Sequence, residues 1–289
     1  MLQRTIIILA LLGVFAKLSA QQADTVKYWK TGGFVSLTFN QVSLKNWVAG
    51  GENAVSTTAL SNFTAVYTKG KFVWDNSLDL GYGLLKSEGK IARKNEDKID
   101  LLSKFGYKAA GKFFYSALLN YRTQFANGYN YPTDTTQVLI SRFNAPGYLS
   151  VSIGMDYRPV EYFSLYISPA TGRFTFVSDQ TLSDEGMYGV DKGKKVRPEF
   201  GASLNAKFQK DVITNVNLSS KLSLFNNYTD KDKENRKNFD VNWELMINLK
   251  AGKYLTTSIF TNIIYDHNVI KRTQSKEVIG VGLSYKFSN

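Results

Sequence analysis

The stretch Ile279-Gly280-Val281-Gly282-Leu283-Ser284-Tyr285-Lys286-Phe287, close to the C-terminus, alternates between apolar and small or polar residues without a break. Successive side chains of a β-strand point to opposite faces. In a strand, the isoleucine, valine, leucine, tyrosine and phenylalanine would therefore form one apolar wall, and the two glycines, serine and lysine would form the other. The pattern predicts a β-strand whose two faces meet different surroundings.

The same alternation recurs along the rest of the chain. It is clear at 72–85, 98–108, 147–158, 199–208 and 239–250, and weaker at 33–45, 53–68, 113–126, 163–177, 212–228 and 254–267. Together with 277–287 these segments predict about twelve strands. An even number of strands is the rule for bacterial single-chain membrane barrels.

Alternation alone does not distinguish a membrane barrel from a soluble β-sandwich or lipocalin, so a soluble secreted β protein is one alternative. The apolar faces of the clear segments carry no charged residue, and the charges lie on the other face with Gly and Ser. Short connections are expected at 69–71, 110–112, 158–161, 209–211 and 251–253, alternating with mostly longer ones at 46–52, 86–95, 127–146, 178–195, 229–237 and 268–276. Aromatic residues flank the short connections, as at a membrane–water interface.

These features predict an all-β fold: a transmembrane, antiparallel, up-and-down β-barrel of about 12 strands with both termini in the periplasm. The last strand is expected to close the barrel against the first, near Phe34 to Leu44. That last strand resembles the closing strand of bacterial outer-membrane barrels, although Ser288 and Asn289 follow its final aromatic residue.

Four motifs point to a family. They are Asn46-Trp47-Val48-Ala49-Gly50-Gly51-Glu52-Asn53, Ser168-Pro169-Ala170-Thr171-Gly172-Arg173-Phe174-Thr175, Arg197-Pro198-Glu199-Phe200-Gly201-Ala202 and Phe225-Asn226-Asn227-Tyr228-Thr229. With them the chain resembles a Bacteroidota outer-membrane β-barrel family that is known only as a domain of unknown function. The resemblance covers nearly all of the chain after its N-terminal leader. It implies the fold and the location, and it carries no established activity.

The N-terminus has the form of a secretory signal peptide. Arg4 precedes an apolar run at 6–15, and the small residues Ser19 and Ala20 follow. The apolar run is too short for a membrane helix, which needs about 20 residues. We expect cleavage near Ala20, a short periplasmic segment at 21–30 and a barrel at 31–289, placed as an integral protein in the outer membrane.

Composition limits the chemistry. The chain has no Cys and one His, which argues against disulfides, thiol nucleophiles and imidazole metal clusters, so no cofactor or metal is expected. The net charge is +12, and basic residues are scattered without a nucleic-acid motif. The expected partners are outer-membrane lipids and, as a further option, other outer-membrane proteins, but not nucleic acid.

Two sets of residues are candidate sites. The first is a recognition loop formed by Asn46, Trp47, Gly50, Gly51 and Asn53, which could equally be a hairpin that only folds and anchors itself. The second is a set of charges on the inner face: Asp79, Asp100, Lys104, Arg122, Glu199, Lys221, Asp240 and Glu244. These charges could form a selectivity or substrate zone, or they could be ion pairs that fill the lumen.

The expected function is that of a non-enzymatic narrow channel, or of a structural or accessory component of an outer-membrane assembly. The alternative is an outer-membrane hydrolase, acting on peptide or lipid, with a site at the outer rim. Asp266-His267 lies at the end of the eleventh predicted strand and could supply a general base. Neighbouring residues of a strand point to opposite sides, however, and no nearby Ser completes a nucleophile–base pair.

Overall fold

The computed structural model describes residues 28–45, 52–133, 136–252 and 254–289. Within them, twelve long strands close into one antiparallel barrel, and two short strands form a separate hairpin. The strands are β1 (Trp29–Val42), β2 (Ala54–Lys69), β3 (Phe72–Ser87), β4 (Arg93–Lys108), β5 (Phe113–Thr123), β6 (Gly128–Asn130), β7 (Val138–Ser141), β8 (Gly147–Val160), β9 (Phe163–Phe176), β10 (Val196–Ile213), β11 (Val216–Asn227), β12 (Asp240–Ala251), β13 (Leu255–Asp266) and β14 (Ile270–Ser288). The predicted closed barrel of about twelve strands is confirmed.

Barrel strands pair with their neighbours along the chain, and β5 pairs with β8 because the β6–β7 hairpin lies outside the barrel. The last strand closes the barrel against the first, with partners running from Gly32 and Ser288 to Phe39 and Val281. This is the predicted closure. It leaves no sheet edge along the paired stretch, which removes the usual site of strand aggregation.

Alternation places the apolar wall of each strand outside. On β14, the side chains of Ile279 and Leu283 are 65% and 61% exposed, whereas Gly280 between them is buried. Gly282 also faces inward, where a Cβ would lie 2.0 Å from the carbonyl oxygen of Leu37 on β1. The glycines of the decisive stretch therefore permit a close approach of strands at the seam of the barrel.

Connections differ between the two ends of the barrel. At one end, called the turn end, they are 70–71, 109–112, 161–162, 214–215 and 252–254. At the other, called the loop end, they are 43–53, 88–92, 124–146, 177–195, 228–239 and 267–269. The predicted asymmetry holds for four of the six connections at the loop end.

The other two predicted long loops are wrong. Half of 86–95 and most of 268–276 is strand, because β3 runs to Ser87, β4 begins at Arg93 and β14 begins at Ile270. The charged ends of these strands rise past the apolar wall, so their sequence looks like that of a loop. A register shift between Gly83 and Leu84 further interrupts the alternation there.

The turn predicted at 209–211 is also misplaced. Strand β10 continues to Ile213, with a register shift between Asp211 and Ile213, and the turn falls at 214–215. Asn215 has φ 65°, a left-handed conformation that asparagine tolerates better than most residues. The bulge shifts the alternation by one residue, and the sequence pattern therefore breaks before the strand does.

Helical structure is confined to the loop end in the part of the chain that the structure describes. It comprises α1 (Gln180–Asp184) and two 3₁₀ turns, Met187–Gly189 and Asn235–Lys237. None of these helices has the length and apolar character needed to cross a membrane. The predicted signal peptide at 1–20 lies outside the described residues, and β1 begins at Trp29, inside the segment predicted as 21–30.

Candidate functional site

A cavity of about 1750 Å³, lined by many charged residues, occupies the inside of the barrel. Its lining reaches Gly111 and Glu161 in the turns at one end and Tyr188 in a loop at the other. Inward positions along the strands supply its wall, since every second side chain points to the axis. The cavity therefore extends along most of the barrel's height.

The predicted inner charges lie on this wall. Asp79, Asp100, Lys104, Arg122, Lys221, Asp240 and Glu244 line the cavity. Glu199 is 5% exposed and lies behind it, held by Arg173, which does line the cavity. The inward placement thus follows from the alternation of side chains along a strand, whereas the partners of each charge depend on how the barrel closes.

Two ion pairs cross the lumen at the level of Asp79. Lys221 Nζ lies 2.6 Å from Asp79 Oδ2, and Lys98 Nζ lies 2.6 Å from Glu244 Oε1. The first pair joins β11 to β3, and the second joins β12 to β4. In each case five strands lie between the two joined strands in either direction around the barrel. These crossing pairs therefore connect opposite walls and narrow the lumen.

Neutral amides hold Asp79 and its neighbour Asp100 in place. Asn62 Nδ2 donates to Asp79 at 2.6 Å, and Asn120 Nδ2 donates to Asp100 at 2.6 Å. Asp79 and Asp100 are direct cross-strand neighbours, an arrangement of like charges that is unfavourable unless cations compensate it. Lys221 compensates the first, and Lys98, 3.9 Å from Asp100, compensates the second.

A second network lies nearer the turn end. Lys104 Nζ and Arg158 Nε lie 2.7 Å and 2.6 Å from Asp156 Oδ2, and Arg158 Nη2 lies 2.6 Å from Asp75. The guanidinium also stacks over Phe114, 5.0 Å from the ring centre. The two cations and the two acids have equal and opposite formal charges, so this network is electrically neutral.

A third network lies at the loop end. Arg173 makes two hydrogen bonds of 2.8 Å to Glu199, one to each carboxylate oxygen, and a contact of 2.5 Å to Asp240. Arg197 lies 3.4 Å from Glu199 and 3.7 Å from Asp266. Such bidentate contacts fix the arginine plane, which packs 4.1 Å from the ring centre of Phe225.

Four residues that are central to these networks are not among the predicted inner charges: Lys98, Asp156, Arg158 and Arg173. A usable signal was present, because each is a charge on the inward face of its strand. Arg122 was selected, but its guanidinium lies over the ring of Tyr148 at 5.8 Å and its Nε is buried without a hydrogen-bond partner. Parity alone does not identify which inward charges form pairs.

Loops fold together at the loop end into a cap, defined as segments 136–146, 177–195 and 228–239. Ala145, Val177, Leu182 and Val190 form its small apolar core, with Met187 and Tyr188 packed against it. The cap includes the unpredicted strand β7. Its apolar core explains why these loops adopt one arrangement rather than extending into solvent.

Polar contacts join the segments of the cap. Arg142 lies 2.6 Å from Asp179, which also accepts a hydrogen bond from the Leu182 amide at the start of α1. Hydrogen bonding to Arg142 and to that amide lowers the pKa of Asp179. The Tyr188 hydroxyl donates to the Ile140 carbonyl at 2.6 Å, and burial raises the pKa of Tyr188 to about 12.

The predicted recognition loop is described only in part by the structure. Asn46, Trp47, Gly50 and Gly51 of the predicted recognition loop lie outside the described residues. Asn53, at its foot, accepts from the Leu44 amide at 2.5 Å and donates to Glu88 at 2.6 Å. The base of this loop is thus pinned to the neighbouring connection at 88–92.

Asp266 and His267 lie at the end of β13, as predicted, but they face different groups. Asp266 points to Arg197 and Arg173 inside the barrel. The His267 ring lies 3.3 Å from the Tyr265 hydroxyl and 3.9 Å from Asp232. Within the described residues, no group of three or more His, Cys, Asp or Glu side chains is arranged to hold a metal ion.

Comparison with known families gives one match. Residues 39–129 match a family described as "Protein of unknown function (DUF3078)". This agrees with the expectation of a family without an assigned function. No curated protein matches the sequence.

Solved structures with a similar fold are outer-membrane barrels. The translocator domain of the autotransporter NalP from Neisseria meningitidis has 9% identity and a TM-score of 0.41, and covers 99% of this chain and 96% of its own. An outer membrane channel from Pseudomonas putida F1 has 13% identity and a TM-score of 0.41, with coverages of 93% and 100%. OmpT, an outer membrane protein of Vibrio cholerae, has 8% identity, a TM-score of 0.30 and coverages of 92% and 100%. Likenesses at this level concern the barrel architecture alone.

Proposed function

We propose that this protein is an integral outer-membrane barrel that acts as a narrow, charge-lined channel without enzymatic activity. Its short turns and both termini would lie in the periplasm, and its cap would face outward. The observation that carries the proposal is the charge-lined cavity, which extends from the turns to Tyr188 and is crossed by the two ion pairs. A wall of paired charges suits the passage of small polar solutes and excludes larger ones.

The outer wall supports a membrane location. Leu37 and Ile279 lie on the neighbouring strands β1 and β14, Ile153 lies on β8 across the barrel, and each side chain is more than half exposed. Apolar surface of this extent is rare on soluble monomers. Two polar groups on the outer wall satisfy each other, since the indole of Trp74 donates to the Ser103 hydroxyl at 2.9 Å. Such pairing is what a hydrocarbon environment requires.

The turn end supports a membrane–water boundary at that level. Aromatic rings pack against one another there, as between Phe72 and Tyr107, whose centres lie 5.1 Å apart. Lys210 Nζ lies over the ring of Tyr162, 4.4 Å from its centre, in a cation–π contact. Tyrosine and lysine in this arrangement are typical of the interface with lipid headgroups. Outer-membrane lipids are therefore the proposed partners.

The arrangement around His267 supports a non-enzymatic role. A general base needs its nucleophile, or the proton it removes, within hydrogen-bonding reach. The imidazole faces Tyr265 and Asp232, while Asp266 is turned into the barrel toward Arg197. The hydrolase alternative thus has no supporting contact between the residues that would form its site.

Planar-bilayer recording tests the channel. The protein is refolded in detergent, and folding is checked by heat-modifiable mobility on a gel. We expect discrete current steps from the folded sample and none from the same sample after boiling. A folded protein that fractionates with the outer membrane and yet carries no current would contradict the channel and favour a structural component of an outer-membrane assembly.

A further inference from the structure

Lys207 stands out among the charges of the cavity. It lies on β10 and lines the cavity, and its side chain is exposed to it. Its cross-strand neighbour on β11 is Lys221, and its neighbour on β9 is Ser164. Two lysines directly opposite each other on one face of a sheet repel and destabilise the pairing. The repulsion needs a compensating negative charge.

The charged residues near Lys207 already form ion pairs with one another or with other residues. The charges that act most on Lys207 are Lys221, Asp79, Asp75 and Lys104. Each is paired elsewhere: Lys221 with Asp79 at 2.6 Å, Asp75 with Arg158 at 2.6 Å, and Lys104 with Asp156 at 2.7 Å. Among the residues that the structure describes, no carboxylate lies within ion-pair distance of Lys207. Among the described residues, its ammonium therefore has no direct ion-pair partner, although it lies beside the crossing pairs.

Neutral polar side chains lie on the same inward face as Lys207. Ser203 and Asn205 precede Lys207 on the same inward face of β10, and both line the cavity with Ser164. The Asn205 side-chain oxygen accepts from Ser223 at 2.8 Å, which leaves the amide nitrogen of Asn205 for another acceptor. Hydroxyl and amide donors next to an ammonium are the groups that bind oxyanions.

We propose that Lys207 is the centre of an anion-binding subsite in the lumen, which takes small oxyanions such as carboxylates or phosphate. Lys221, Ser164 and Asn205 form the rest of the subsite. Bound anions offset the repulsion between the two lysines. We further propose that the subsite biases permeation toward anions. This second statement rests on the proposed channel function, whereas anion binding does not.

Anion binding is tested by lysine acylation of the folded protein in detergent, read by mass spectrometry. The probe is inorganic phosphate, compared with potassium chloride at equal ionic strength. Saturating phosphate should slow the acylation of Lys207 by about tenfold or more, because only the unbound fraction reacts. Lys210 in the same sample is the control, since it is exposed and does not line the cavity. Equal acylation rates of Lys207 in both salts would overturn the subsite.

Permeation is tested by reversal potentials in a potassium chloride gradient. The Lys207→Gln variant should shift the potential toward cation selectivity, Lys207→Arg should keep the wild-type value, and Lys210→Gln should not change it. An unchanged potential for Lys207→Gln, in a variant that folds by gel mobility, would overturn the permeation bias. Phosphate protection of Lys207 in a protein that carries no current would uphold the subsite while contradicting the channel.

Discussion

Lys98 and Glu244 form a 2.6 Å ion pair although their strands stand on opposite sides of the barrel and 146 residues separate them in sequence. Their side chains are 24% and 17% exposed, and both line the cavity. With the pair between Asp79 and Lys221, this contact places four charged side chains across the lumen. In the proposed channel, these crossing pairs would limit the size of the solutes that can pass.

Breaking this pair should widen the lumen. Lys98→Gln removes one end of the crossing contact, and we expect a larger single-channel conductance in planar bilayers. The stability cost should be about 1 kcal/mol in urea unfolding, because cavity water screens the pair. Exchanging the charges, with Lys98→Glu and Glu244→Lys together, should restore the wild-type conductance.

Lys30→Gln is the matched control for that experiment. Lys30 lines the cavity at the turn end, and it is not part of a crossing pair. Its loss removes the same charge without opening the lumen. If Lys98→Gln and Lys30→Gln changed conductance equally, the effect would be one of net charge and the constriction would be refuted.

Closure of the barrel should depend on the small size of Gly282. A Cβ at this position would lie 2.0 Å from the Leu37 carbonyl oxygen, in backbone that has little freedom to move. We expect Gly282→Ala to reduce the yield of refolded, heat-modifiable protein strongly. In Gly172→Ala, by contrast, the nearest atom to the new Cβ is 3.5 Å away, an ordinary contact. Equal yields for the two variants would contradict a close-approach role at the seam.

The cap should become less ordered at acid pH, because the Asp230 carboxylate becomes protonated. This side chain is 3% exposed and accepts from Asn235 at 2.7 Å, Asn268 at 3.1 Å and the Asp232 amide at 2.8 Å. Burial opposes its ionisation, but these hydrogen bonds outweigh burial and lower the pKa of Asp230.

The direction of the pH effect follows from that shift. A folded-state pKa below the unfolded value of about 3.9 stabilises the fold above that pH, and the stabilisation disappears as pH falls through the folded pKa. Amide hydrogens at 228–239 should therefore lose protection against exchange as pH falls below about 4, after correction for intrinsic rates. Asp230→Asn should show a flatter profile, and an equally steep profile in that variant would assign the effect to another group.

Alternation was sufficient to predict the fold because a period of two assigns every side chain of a strand to one face. It failed where the local pattern and the backbone diverge. The bulge near Asp211 and the left-handed Asn215 move the β10–β11 turn by several residues. The charged first residues of β4 and β14 look like loops because the strand ends extend beyond the apolar wall.

The sequence by itself determined the closed barrel, the pairing of the last strand with the first and the inward position of the charges. Only the tertiary structure decided which charges meet. Lys98 reaches Glu244 because closure places β4 opposite β12, and Lys207 is left unmatched because Asp79 is already bound to Lys221. The physical reason is that strand parity is local, whereas contacts across a lumen depend on closure and side-chain reach.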